Sequence, residues 1–249
     1  MSDDTGRRVA FITGSGRNIG RAIALALARQ GFDVVVNGTR NVAACESVAE
    51  EAAALGVRSL LAMGDVGDAE QVQSMAEAIL SRYEAVDVLV NNAAIRPETP
   101  FLEMRHEDWH RVMDVDLNSA FYTAKAFLPG MVAKGWGRVI NITGMNAIQG
   151  YVGRAPVSAA KHGLWGLTKS LAREFGPHGI TVNAISPGPI KGERDDPASA
   201  AHIEAMLPRI PLGRLGEPEH IAGLCAFLVS EQGGFTSGQM LAVNGGAAT

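Results

Sequence analysis

Only two of the 249 residues are cysteine, at positions 45 and 225, and neither sits in a CxxC or Cys/His pattern. That excludes a disulfide framework and a metal site of the usual spacing, and leaves two ordinary reduced thiols. No apolar run reaches the roughly 18 residues that a membrane span requires, and the short acidic stretch 1–6 has no apolar core. A soluble cytoplasmic protein is the expectation. Charge of one sign is also scarce, since 22 Lys and Arg against 26 Asp and Glu leave a formal net charge of −4. The basic residues are scattered, which speaks against nucleic acid or a membrane surface as partner and for a small-molecule ligand. Internal repeats and low-complexity tracts are likewise missing.

What is present is a chain that is 47% hydrophobic, enough for one large core in a single domain. Short β-branched runs at 9–13, 33–37, 59–62, 86–91, 138–142 and 181–185 alternate with stretches of helical period, and a helix at 218–229 precedes a last strand at 241–243. Such alternation predicts an α/β fold: a doubly wound parallel sheet of about seven strands, with helices on both faces. The domain spans 8–249 behind a flexible tail at 1–7. Residues 188–201 lack a period and are rich in Pro, Gly and charge. A lid over the crevice, near 188–207, and a solvated loop are the two readings of that segment.

Thr13-Gly14-Ser15-Gly16-Arg17-Asn18-Ile19-Gly20 follows the first strand and opens a helix. Backbone N–H groups in such a turn, with the positive end of the helix behind them, suit a pyrophosphate. The second strand ends in Val36-Asn37-Gly38-Thr39-Arg40, without the acid that would hold the ribose hydroxyls of NAD. With Arg17 in the turn and Arg40 after the strand, a 2′-phosphate is favoured, hence NADP(H) over NAD(H). Two solvated surface arginines are the alternative.

From Arg8 onward the chain resembles the short-chain dehydrogenase/reductase family, in particular its 3-oxoacyl-ACP-reductase-like members. The resemblance rests on several segments. The turn at 13–20 is similar to the family's Thr-Gly-x-x-x-Gly-x-Gly, with Asn18 at its middle glycine; Asp65-Val66 and Asn91-Asn92-Ala93-Ala94 match two further motifs. Asn183-Ala184-Ile185-Ser186-Pro187-Gly188-Pro189-Ile190 matches a third, and Gly213-Arg214-Leu215-Gly216-Glu217-Pro218 the entry to a late helix. The resemblance implies a Rossmann-type fold and a homotetramer or homodimer. It also implies dinucleotide contacts at Gly14, Arg17, Asn18, Ile19, Gly20 and Arg40, at Asp65, Val66 and Asn92, and at Lys161, Pro187, Gly188 and Ile190. Gly192 stands where the family often has a hydroxyl residue.

The family's chemistry uses a Tyr as proton donor or acceptor, a Lys that tunes it and holds the ribose, a Ser that orients the carbonyl and an Asn that links the Lys to water. By spacing Lys161 is kept, whereas Val157 replaces the Tyr, Gly144 the Ser and Asp116 the Asn. Valine and glycine carry no exchangeable side-chain proton, so the usual relay cannot run through them. An Asp116–Lys161 ion pair beside the ribose is one expectation; a solvent-facing Asp116, with Lys161 left to the ribose alone, is the other. Tyr151, the only phenol nearby, is a substitute acid/base or a wall of the substrate pocket. Thr143, Asn146, Arg154 and His162 border the same side, Arg154 as a possible carboxylate grip. Three functions stay open: an NADP(H)-dependent oxidoreductase acting on a carbonyl or alcohol with an atypical site, a non-catalytic nucleotide-binding sensor or scaffold, and a non-redox lyase or isomerase.

Overall fold

The computed structural model describes residues 6–192 and 206–248. Strands β1 (Val9–Ile12), β2 (Asp33–Gly38), β3 (Ser59–Met63), β4 (Val88–Asn91), β5 (Gly137–Ile142), β6 (Ile180–Pro187) and β7 (Met240–Val243) form one sheet. All pairings are parallel, in the order β3-β2-β1-β4-β5-β6-β7. Helices α1 (Asn18–Arg29), α2 (Val42–Ala54), α3 (Ala69–Leu80), α4 (His106–Met113), α5 (Ser119–Lys134), α6 (Ala155–Phe175) and α7 (Pro218–Val229) connect them.

The strand period of two sorts the apolar side chains into two cores. Ala10 and Ile12 join Val34, Val36, Ile140 and Ile185 beneath α1, α2 and α7. Val9 and Phe11 join Val35, Leu89, Val139 and Val182 beneath α3 and α5. There Phe11 meets Phe127 edge to face at 5.3 Å. Each fully buried side chain of this size contributes roughly 1.5–3 kcal/mol. Strands buried on both faces read as unbroken apolar runs, which is why they stood out in the sequence.

A buried polar ladder runs through the second core. The Thr123 hydroxyl lies 2.7 Å from Asn91 Oδ1, Asn91 Nδ2 donates to Asn141 Oδ1 at 2.8 Å, and Asn141 Nδ2 donates to the Thr168 hydroxyl at 2.9 Å. It ties α5, β4, β5 and α6 together. Removing one rung would leave a buried partner unsatisfied, at about 1–3 kcal/mol.

Helix α5 is the second half of a longer rod. The rod begins with α4, which buries only Val112 and so carries a weak apolar signal. Between α4 and α5 the rod widens into a π turn, Asp114–Asn118. Such a turn admits an extra residue and re-aims the side chains around it. Here Val115 and Asp116 are the ones turned inward. At the N-terminal end, Arg7 Nη1 donates to the Gly56 carbonyl at 2.7 Å, while residues 1–5 of the expected tail lie outside the described residues.

Candidate cofactor cleft and active site

Strand order reverses at β1, with β2 on one side and β4 on the other, so a crevice opens beyond their C-terminal ends. The two loops that leave there are stapled together. The Thr13 hydroxyl accepts from the backbone N–H groups of Asn92 at 2.9 Å and Ala93 at 3.0 Å, and Asn92 Nδ2 donates to the Thr13 carbonyl at 2.9 Å and the Gly14 carbonyl at 3.1 Å. A Cβ on Gly20 would collide with the Gly14 carbonyl and come within 2.6 Å of Asn92 Nδ2. Gly20→Ala should therefore push α1 off the staple, lowering stability by roughly 1–3 kcal/mol and abolishing nucleotide binding. Urea denaturation together with an NADPH titration measures both. Asn18 takes a left-handed backbone, at φ 49°, which asparagine tolerates better than most residues.

Helix α1 opens on Arg17 with no side-chain cap and no acid in its first turn. By contrast, Asn41 caps α2 and Asp68 caps α3. The first N–H groups of α1 are thus held by no side-chain cap at the mouth of the crevice, the arrangement that favours an anion. A recess of about 220 Å³ lies beside it, bounded by Asn18, Arg21, Lys191, Glu217 and neighbouring residues.

At the end of β2, Asn37 is already committed. Its Oδ1 accepts from Gly14 N at 3.0 Å and its Nδ2 donates to the Ala62 carbonyl at 2.9 Å, so it braces the glycine-rich turn. Arg17 and Arg40 are both exposed at this rim. Asp65 pairs with Arg111 at 2.6 Å and accepts from Gly67 N at 2.9 Å, and Val66 is buried. Cys45 packs beneath Gly16 and Gly38, where a Cβ would reach its sulfur at 2.8 and 2.5 Å. Both cysteines are free and buried, and burial pushes the Cys225 thiol up to about 12. Neither is a nucleophile near neutral pH. Among the described residues no His, Cys, Asp and Glu gather as metal ligands, and no helix is long and apolar enough to cross a membrane.

The strap after β6 is pinned on both sides. Gly188 N donates to the Val243 carbonyl at 2.9 Å, Gly216 N to the Pro189 carbonyl at 2.9 Å, and Lys191 N to the Gly216 carbonyl at 2.8 Å. Pro187, Gly188 and Ile190 are thereby fixed along the crevice. Of the expected lid at 188–207, residues 193–205 lie outside the described residues.

Lys161 of α6 and Asp116 of the π turn meet. Lys161 Nζ is 3.5 Å from Asp116 Oδ2, with side chains 2% and 0% exposed. Lys161 also donates to the Ile142 carbonyl at 3.1 Å, and Asp116 Oδ1 accepts from Ile95 N at 2.8 Å. Oδ2 itself accepts no hydrogen bond, so the contact to Lys161 is an ion pair. Desolvation pulls the Lys161 ammonium below the ordinary lysine value; Asp116 opposes that fall and Arg96 adds to it. The solvent-facing alternative for Asp116 is thus corrected: the π turn carries it inward.

Val157 is fully buried on the same face of α6. Gly144 is more than a bare position, because its φ of 129° and ψ of 173° lie where side-chain-bearing residues are strained. Tyr151 is 37% exposed and its hydroxyl makes no hydrogen bond among the described residues. Thr143 turns away and binds the Ile185 carbonyl at 3.0 Å, and exposed His162 holds the Ser158 carbonyl at 2.9 Å through Nδ1. Arg154, a sequence candidate for gripping a carboxylate, is taken by Glu98 at 3.0 Å. Arg96, which the sequence did not mark, lies close enough to Asp116 and Lys161 to bear on both charges.

Residues 14–248 match the family model described as enoyl-(acyl carrier protein) reductase. The chain is 40% identical over 237 residues to 3-oxoacyl-[acyl-carrier-protein] reductase FabG of Staphylococcus aureus, covering 95% of this chain and 96% of that one. The chain belongs to the short-chain dehydrogenase/reductase family. It is also 38% identical over 240 residues to acetoacetyl-CoA reductase of Cupriavidus necator, covering 96% of this chain and 98% of that one. The crystal structure of acetoin dehydrogenase YohF from Salmonella typhimurium superposes with a TM-score of 0.89 at 36% identity, over 96% of this chain and 95% of that one. As a short-chain dehydrogenase/reductase, this chain has a seven-stranded parallel sheet, a stapled glycine-rich turn and a buried lysine paired with an acid.

Proposed function

We propose that the chain is an oxidoreductase that binds NADP(H) and interconverts a carbonyl compound and its alcohol through an atypical site. The observation that carries the nucleotide choice is at the end of β2. No carboxylate waits there, the Asn37 side chain is used up inside the turn, and Arg17 and Arg40 are exposed at the rim. The uncapped start of α1 fits a pyrophosphate, and the pinned strap 187–190 fits the nicotinamide end. When bound, the nicotinamide supplies or accepts the hydride. Val157 and Gly144 offer no proton, so the accompanying proton is exchanged with Tyr151, the exposed phenol of this side, or with water. The names of the relatives, which include reductases of 3-oxoacyl and acetoacetyl groups and an acetoin dehydrogenase, support carbonyl and alcohol chemistry.

Titration with NADPH and NADH, followed by nicotinamide fluorescence, tests the choice of cofactor. NADPH should bind more tightly than NADH, and Arg17→Glu with Arg40→Glu should weaken NADPH about tenfold to a hundredfold while sparing NADH. Equal loss for both nucleotides would sink the 2′-phosphate assignment. Assembly as a homotetramer or homodimer through α5 and α6 belongs to the same reading, and Phe121, half-exposed on α5, supports it. Light scattering reads the mass.

One observation favours a second reading, a nucleotide-binding member without turnover: Lys161 is sealed against Asp116 and Val157 has no exposed surface. NADPH binding without oxidation of NADPH by any of a panel of aldehydes, ketones and oxo acids would select it.

A further inference from the structure

Helix α7 begins with a hydrogen bond that only a neutral imidazole can make. Glu217 N donates to His220 Nδ1 at 2.7 Å, from the residue that precedes the helix to the third residue inside it. Glutamate or glutamine does this at such a position with a side-chain oxygen. Histidine does it with a ring nitrogen that accepts only while it carries no proton; in the imidazolium both ring nitrogens are donors. Two N–H groups would then face each other, so the hydrogen bond must break and the Glu217 N–H is left to water. Histidine is the side chain whose ordinary titration falls between about pH 5 and 8.

The cap stands at the anchor of the strap after β6. Gly216, next to Glu217, donates to the Pro189 carbonyl at 2.9 Å and accepts from Lys191 N at 2.8 Å. Ile190 packs closely on it, since a Cβ on Gly216 would come within 2.6 Å of Ile190 Cδ1. The same pieces wall the recess of about 220 Å³ at the start of α1. Lys191 and Gly192 of the strap and Glu217 and Glu219 at the entry to α7 line it together with Asn18 and Arg21 of α1. The shape of the recess thus depends on where the first turn of α7 is held.

Charges of both signs surround the cap among the described residues. Glu217 and Glu219 on its own turn favour an imidazolium, whereas the positive end of α7, Lys191 of the strap and Arg214 of the preceding turn oppose one. Arg21 of α1 is paired with Glu51, and Arg214 Nη1 donates to the Leu215 carbonyl at 3.3 Å. None of these cations can replace the ring as an acceptor.

We propose that His220 is a pH-sensitive fastener of the nucleotide recess: neutral, it holds the first turn of α7 and the strap in place, and protonated, it releases them and weakens NADP(H) binding. The sign follows from proton count. The capped arrangement holds one proton fewer, so a falling pH shifts the balance toward the uncapped one. The inference rests on the NADP(H) reading for the identity of the nucleotide, whereas the loosening itself needs no ligand.

Calorimetric titration of the full chain with NADP+, at about pH 8 and about pH 5.5, tests the effect on binding. Amide hydrogen exchange of segments 187–192 and 213–220 in the free protein tests the loosening. Each value is compared with that of His220→Gln at the same pH. Glutamine keeps an acceptor at this position and cannot be protonated, and the comparison cancels the titration of the ligand's own phosphate. In acid the native chain should bind NADP+ about threefold to tenfold more weakly than His220→Gln and should exchange both segments faster. At the higher pH the two should agree. His220→Ala, which has no acceptor, should behave at both pH values as the native chain does in acid. Native chain and His220→Gln that coincide at both pH values, or His220→Ala that coincides with His220→Gln, overturns the inference. Faster exchange of the native chain in acid, with no NADP+ bound at either pH, would leave the fastener standing and remove the nucleotide reading. NADP+ binding with no difference in exchange would do the reverse.

Discussion

Replacing Lys161 by methionine should cost about 3–5 kcal/mol of folding stability. The variant leaves Asp116, 0% exposed, as a charge with no counterion in a site that water does not reach. Its remaining partner is the single N–H of Ile95. Urea denaturation reads the loss as a lowered midpoint. Adding Asp116→Asn to Lys161→Met should recover most of it, since an uncharged pair of similar volume has no ion to desolvate. A double variant no more stable than the single one would show that Lys161 contributes by packing.

The same pair predicts a pH slope. Burial holds the folded-state pKa of Lys161 below the ordinary lysine value, and the unfolded chain titrates it at roughly 10.4. Between those two values the unfolded state binds more protons, so stability rises with pH across that window and is lowest beneath it. Measured against the double variant, which lacks the group, the native chain should gain stability as pH climbs toward that of free lysine. Parallel pH profiles would mean that Lys161 is solvated in the folded state.

Much of the fold was legible because parallel strands buried on both faces are short apolar runs that few other structures produce. The helix expected at 218–229 and the seven strands stand close to where periodicity put them. What the sequence hid were relations between distant positions. Asn37 read as an absent acid; only the folded chain shows its amide spanning the Gly14 N–H and the Ala62 carbonyl. Arg154 looked available until Glu98, far away in sequence, was found beside it. Arg96 follows a turn and looks like any solvated arginine, and no local pattern says that a π turn brings Asp116 close by. That turn decided between the two readings of Asp116, and helical periodicity gives no warning of an added residue.

Introducing a tyrosine at Val157 and a serine at Gly144 should not create carbonyl reduction. Val157→Tyr inserts a phenol where valine has no exposed surface, at roughly 1–3 kcal/mol for overpacking. Gly144→Ser places a side chain on a backbone at φ 129°, at about a further 1–3 kcal/mol. Space is not the obstacle at Gly144, because the nearest atom to an added Cβ is the Pro187 carbonyl oxygen at 3.9 Å. The obstacle is conformation: the path of the chain after β5 suits glycine, so a serine could not simply occupy it with its hydroxyl aimed at a carbonyl. Lys161, paired with Asp116, is also not free to lower the pKa of a new tyrosine. The double variant should therefore lose stability at both positions, additively unless the two sites touch, and gain no reduction of the carbonyl panel. If instead it gained fast NADPH-dependent reduction, the Met145–Ala147 turn must have moved to release α6, and the native arrangement would be one of two accessible packings. Adding Asp116→Asn separates these cases: with a rigid site the triple variant remains inactive, whereas with a mobile one the freed lysine should raise the rate further.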